Sequence, residues 1–136
     1  MIEINNLTAD PVNDGFLKKI AKTVLKRKKY PKKTLSIALI GQKKIKDLNR
    51  KYRNKNRVTD VLAFPGDKET GLGEIVICPE KVKKNAKRFK SVYKKELARV
   101  LIHGILHLLG YDHEKSKIEA EIMIKEEEDY LSLLKF

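Results

Sequence analysis

The chain of 136 residues has a single cysteine, Cys78. One thiol excludes an intramolecular disulfide framework and a cysteine-based zinc cluster, and it suits a reducing compartment. Its place at the end of a β-rich run reads as that of a small buried hydrophobe. Long apolar runs are missing too. The longest, from Val100 to Leu109, is broken by two histidines and a glycine and is about half the roughly twenty residues that a membrane span needs. The opening residues show no basic stretch followed by an apolar one, the mark of a secretory signal. A cytoplasmic protein with no membrane partner is expected. Acidic residues are the third shortage: 18 Asp and Glu stand against 31 Lys and Arg, a formal net charge of +13. That excess points to a polyanionic partner, because clustered cations release condensed counterions when they meet phosphates. Whether a nucleic acid is bound or cut cannot be read from charge. No repeat, linker or low-complexity segment interrupts the chain, so residues 1–136 are expected to form one domain.

Hydrophobic residues make up 41% of the chain, too many for a disordered basic tail and enough for a core. Ile2, Ile4 and Leu7 roughly alternate and predict a short strand. Asp10 and Pro11 read as the N-cap and first position of a helix. Val12, Phe16, Ile20, Val24 and Leu25 continue it to a basic cluster, Arg27 to Lys29, that suits the negative end of the helix dipole. The run Leu35 to Ile40 predicts a strand stopped by Gly41. Ile45, Leu48 and Tyr52 predict a helix from Lys43 to Arg53. Val58 to Phe64 and Glu74 to Cys78 read as strands, with a loop from Pro65 to Gly73 between them. Pro79 opens a lysine-rich helix. Ser91 is the candidate cap of the next helix, which carries Leu97, Leu101, Ile105 and Leu108 on one side and stops at Gly110. Ser116 and Glu119 have capping-box spacing, with Ile118, Ile122, Leu131 and Leu134 as the apolar side of the last helix. The order β-α-β-α-β-β-α-α-α describes an α+β domain, a small mixed sheet of about four strands packed with about five helices.

All three histidines fall in the segment HGILHLLGYDH, at positions 103, 107 and 113. His103 and His107 are four apart on a helix, so both imidazoles leave one face. A left-handed residue at Gly110 would turn the chain back and bring His113 to the same point. Three imidazoles around one ion leave a tetrahedral metal one open position, the pattern of a catalytic rather than a structural zinc. Zinc is the default ion, one per chain, and nickel, copper or iron suits the same donors. The spacing resembles that of metzincin peptidases, in which a glutamate directly follows the first histidine as general base. Here that position is Gly104, which argues against a peptidase. Asp112 and Glu114 flank His113. Asp112 reads as a turn-stabilising or ligand-supporting residue, Glu114 as a solvated charge.

The same eleven-residue segment resembles the signature of the YbeY family of bacterial rRNA maturation factors and single-strand endoribonucleases. LNRKYRNKNRVTDVLAFP, from Leu48 to Pro65, and the stretch from Gly73 to Cys78 resemble two further blocks of that family. The resemblance implies a mixed sheet with helices and one zinc ion held by His103, His107 and His113. It also implies a hydrolase that cuts single-stranded RNA in ribosomal precursors, notably at the 3′ end of the small-subunit rRNA, with a part in ribosome quality control. Its partners would be the rRNA precursor and the small ribosomal subunit. Arg53 matches the arginine that the family places in the cleft, where a guanidinium can bind a phosphate and stabilise charge building on phosphorus. Arg50, Lys51, Lys55 and Arg57 around it are candidates for holding flanking RNA, with a solvated helix end as the alternative for each. Two other functions stay open at this stage: a non-catalytic RNA-binding factor with a structural zinc, and a metzincin-like metallopeptidase.

Overall fold

Alternation along the Leu35–Ile40 run places Leu35, Ile37 and Leu39 on one side of a strand and Ala38 and Ile40 on the other, and all five are buried. A strand buried on both faces must be central, with helices covering each side. The computed structural model, which describes residues 1–67, Glu69, 71–134 and Phe136, has this arrangement. Its elements are β1 (Ile2–Asn6), α1 (Asp14–Arg27), β2 (Thr34–Leu39), α2 (Gln42–Arg53), β3 (Val61–Pro65), β4 (Gly71–Ile77), α3 (Pro79–Arg88), α4 (Tyr93–Leu108) and α5 (Lys117–Ser132). The sheet order is β1-β2-β4-β3. β1 and β4 run parallel to β2, and β3 pairs antiparallel with β4. The α+β class read from the sequence, with about four strands and about five helices, matches the four strands and five helices among the described residues.

The larger core gathers Leu17, Ile20 and Val24 of α1, Ile37 and Ile75 of the sheet, Leu101 and Ile105 of α4, and Met123 and Tyr130 of α5. The opposite face of the sheet packs Ala38, Leu62, Val76 and Cys78 against Ile45 of α2. Cys78 is buried, and burial pushes its thiol pKa up. α4 is the central helix of the larger layer, with Leu101, Ile102, Ile105 and Leu106 all 0% exposed. Each such side chain stabilises the fold by about 1.5–3 kcal/mol. Gly104 lets the helix lie this close to the sheet: a Cβ there would stand 3.1–3.3 Å from three carbons of Ile75.

Four local readings need correction. α1 starts at Asp14 rather than Pro11, because Asn13 is the N-cap and accepts from Phe16 N–H. Asp10 spends its carboxylate on Lys83, 3.1 Å away. α4 is capped by Val92 without a side-chain bond, and Ser91 instead closes the end of α3 through its N–H to Ala86 C=O. The expected loop from Pro65 to Gly73 gives its last three residues to β4, Lys68 and Thr70 lie outside the described residues, and β3 begins at Val61, not Val58. On α5 the cap forms as expected, with Ser116 Oγ accepting from Glu119 N–H. Its fully buried residues, however, are Met123, Glu127 and Tyr130, while Ile118 and Ile122 face outward. Among the described residues no helix is long and apolar enough to cross a membrane.

Candidate active site

From Leu97 onward the polar residues of α4 form a stripe along an otherwise apolar helix. Arg99, His103 and His107 are spaced by four and line one cleft. The helix then ends in a hydrogen-bonded turn in which Gly110 N–H bonds His107 C=O at 3.1 Å and Tyr111 N–H bonds Leu106 C=O at 3.0 Å. This pair of bonds defines a Schellman cap, which needs a left-handed residue at its centre. Gly110 supplies it with φ +103°, and nothing lies within 4 Å of where its Cβ would be. Glycine is required here for its backbone, not for space. The reversal returns His113 to the other two histidines. Ring centroids stand 5.9 Å apart for His103 and His107, 4.9 Å for His103 and His113, and 5.6 Å for His107 and His113.

Each imidazole has a distinct environment. Nδ1 of His103 hydrogen-bonds the carboxylate of Glu127, which α5 buries at 6% exposure. That bond commits one nitrogen and leaves Nε2 as the free donor, the arrangement in which a carboxylate orients a metal-binding histidine. His107 has its pKa pushed down, first by burial and then by the neighbouring His103 and His113, so its lone pair is retained. Nδ1 of His113 is buried and has no hydrogen-bond partner among the described residues, a costly state for a polar atom unless another group pairs with it. Asp112 joins them. Donor atoms of His107, Asp112 and His113 all lie within 4.8 Å of one another, while Asp112 Oδ1 also accepts from Glu114 N–H at 2.9 Å. An unpartnered nitrogen among converging imidazoles and a carboxylate fits a divalent transition metal.

The facing wall comes from the end of α2. Asn54 adopts the left-handed conformation, φ +56°, one of the few non-glycine residues that does so readily. Lys55 N–H then bonds Asn49 C=O at 3.3 Å, and the buried Asn49 amide donates to Arg57 C=O at 3.0 Å. Held in this way, Arg53, Lys55 and Arg57 line the same cleft, of about 240 Å³, as the three histidines. Arg50 and Lys51 do not: Arg50 pairs with Asp47 at 3.6 Å, and Lys51 Nζ lies 5.2 Å from the centre of the Tyr52 ring. Glu114 is exposed, as expected of a solvated charge, and its Oε1 is also 3.4 Å from Arg53 Nη2 and 3.8 Å from Lys55 Nζ. Tyr111 is partly packed, and its hydroxyl takes a hydrogen bond from Lys28 at 2.6 Å.

Three contributors escaped the sequence reading: Glu127, Asn49 and Arg99. Arg99 carried a signal, since it precedes His103 by one helical turn. Glu127 sits inside the acidic run Glu126–Glu128 and had none.

The family model described as endoribonuclease YbeY matches residues 3–135. A protein of Thermodesulfovibrio yellowstonii named endoribonuclease YbeY is 47% identical over 123 residues, which cover 87% of this chain and 76% of that protein. One of the same name from Persephonella marina is 40% identical over 118 residues, covering 82% and 77%. A solution structure from Thermotoga maritima superposes with a TM-score of 0.69 at 36% identity, over 96% of this chain and 87% of that one.

Proposed function

The chain belongs to the endoribonuclease YbeY family, and from that premise we propose that residues 1–136 act as one metal-dependent hydrolase domain cutting single-stranded RNA. The observation that carries this reading is the convergence of three imidazoles and Arg53 on one cleft. His103, His107 and His113 would hold a single ion, with zinc the metal that suits their chemistry best. When bound, such an ion supplies Lewis acidity to a phosphate oxygen and lowers the pKa of a water.

The chain's own residues do the rest. Arg53 presents a guanidinium that can take two oxygens of the scissile phosphate and neutralise charge as phosphorus becomes five-coordinate. Lys55 and Arg57 hold the adjoining backbone, and Arg50 and Lys51 on the outer surface of α2 add steering rather than contacts in the cleft. Glu127 keeps His103 oriented. In the cell the substrate would be the rRNA precursor, with the small-subunit 3′ end as the site, the small ribosomal subunit as partner, ribosome quality control as the wider role and the cytoplasm as the compartment. A peptidase mechanism fits poorly, because position 104, where it needs a glutamate, is a glycine packed closely against Ile75.

The test is a titration of zinc into chelator-treated protein with a single-stranded RNA spanning the small-subunit 3′ end. Cleavage that rises to one equivalent of metal, and that is lost with metal binding in His107→Ala, is the expected result. RNA binding without any metal-dependent cleavage overturns the nuclease in favour of a non-catalytic factor.

A further inference from the structure

We propose that the corner between α3 and α4 is a subsite for a nucleotide flanking the scissile bond, its base stacked on Phe89 and its phosphate held by Lys95 and Arg99. This rests on the single-stranded RNA reading above.

The corner is built rather than incidental. α3 ends in a cap in which Lys90 takes φ +54° and Ser91 N–H bonds Ala86 C=O at 2.8 Å. The turn leaves Phe89 with 56% of its surface exposed. Phe89, Ser91, Lys95, Glu96 and Arg99 line a depression of about 360 Å³. Arg99 also lines the histidine cleft, so the two spaces share a wall. It precedes His103 by four residues, about 6 Å along the helix at 1.5 Å per residue. A strand leaving the histidines along α4 therefore meets Arg99 first and Phe89 next.

The side chains match that ligand. Glu96, buried at 3% exposure, binds Arg99 through Nε at 2.9 Å and through Nη2. That grip fixes the guanidinium and leaves Nη1 for a phosphate oxygen. Lys95 is exposed and has no ion pair among the described residues. An exposed aromatic ring beside two cations is the arrangement that holds single strands without reading sequence, because every base has a face to stack. α3 itself carries lysines with no aromatic residue among them; Phe89, at its C-cap, supplies the missing ring.

Fluorescence anisotropy with a short single-stranded RNA, and with versions extended at the 5′ or the 3′ end, tests the subsite. In wild type one of the two extensions should tighten binding at least fivefold, in line with the stacking of one base. Phe89→Ala should remove that gain and Phe89→Tyr should keep it. Lys95→Gln should lower the slope of log Kd against log salt by about one phosphate contact for the extended RNA. An extension that helps wild type and Phe89→Ala equally overturns the subsite, as does an absence of gain from either extension. Cleavage of the same RNAs, read in parallel with metal present, separates the two readings. Wild type that gains through Phe89 but cuts nothing overturns the nuclease and leaves the subsite standing. Wild type that cuts, with Phe89→Ala indifferent to length, overturns the subsite alone.

Discussion

Glu127 on α5 holds His103 on α4 through its Nδ1, so the last helix reaches into the active cleft without lining it. The bond keeps the proton on Nδ1 and the lone pair on Nε2. Glu127→Ala is expected to weaken metal binding by roughly 10–100-fold, and Glu127→Gln, which still accepts the N–H bond, by less. A competition titration against a chromophoric chelator measures both. Wild-type affinity in the alanine variant would refute the orienting role.

Gly104 adjoins His103, and a Cβ there would point at Ile75 of the sheet. Helix propensity alone would favour alanine there by about 1 kcal/mol. Its Cβ, however, would press on Ile75, which is 0% exposed and cannot withdraw. Overpacking of this kind costs about 1–3 kcal/mol, so Gly104→Ala should lower unfolding stability by about 1–2 kcal/mol in urea titration. Adding Ile75→Val, which removes the Cδ1 atom 3.2 Å from the new methyl, should recover part of the loss. Greater stability in the single variant would show that the helix can lift from the sheet.

Glu114 and an RNA phosphate would compete for Arg53. The carboxylate of Glu114 reaches the Arg53 guanidinium and the Lys55 ammonium where a phosphate would sit. Both groups are partly exposed, so the ion pairs stabilise the fold little. Glu114→Gln should therefore leave stability unchanged and tighten RNA binding by a few-fold, most clearly at low salt. Arg53→Ala should keep the metal and lose cleavage by roughly 100-fold or more, the scale set by removing one donor to transition-state charge. Cleavage at the wild-type rate in the arginine variant would remove Arg53 from the mechanism.

Element order and the histidine cluster were legible because each rests on local spacing: alternation along β2, the four-residue step between His103 and His107, and a glycine where the chain must reverse. What stayed hidden depends on partners distant in sequence. Asp10 has the sequence of a cap, but Lys83 of α3 takes its carboxylate. Ile118 and Ile122 looked like a buried face, yet α5 turns Met123, Glu127 and Tyr130 inward. Turned this way, α5 brings Glu127 to His103 and Glu126 to Lys28. The end of α1 is legible only from its basic cluster, Arg27 to Lys29, and that of α3 carries no signal, for another reason. Their left-handed positions are lysines, Lys29 and Lys90, rather than the glycine that marks such caps. Arg53, Lys55 and Arg57 read as one basic run with Arg50 and Lys51, and only the turn at Asn54 sorts those in the cleft from those outside it.

Lys28 is the buttress behind the histidine turn. Its ammonium donates to Tyr111 OH, pairs with Glu126 at 2.9 Å and lies 4.9 Å from the centre of the Tyr111 ring. Burial works against the charge, but the bonds to Tyr111 and Glu126 outweigh it and raise the pKa from 10.5 to about 12. A cation whose pKa is higher in the folded state adds stability that is complete below the unfolded value and fades as pH rises through the folded one. The advantage of wild type over Lys28→Met in urea midpoint should thus hold constant from neutral pH to about 10 and shrink between 10.5 and 12. Comparing the two proteins at each pH cancels the groups remote from Lys28, and making the comparison in a Tyr130→Phe background removes Tyr130, which is coupled to it. Because Tyr111 precedes His113 by two residues, Lys28→Met should also weaken metal binding at neutral pH, where the lysine is fully charged. A difference in midpoint that persists unchanged to pH 12 would show that the side chain acts through packing of its stem and not through its charge.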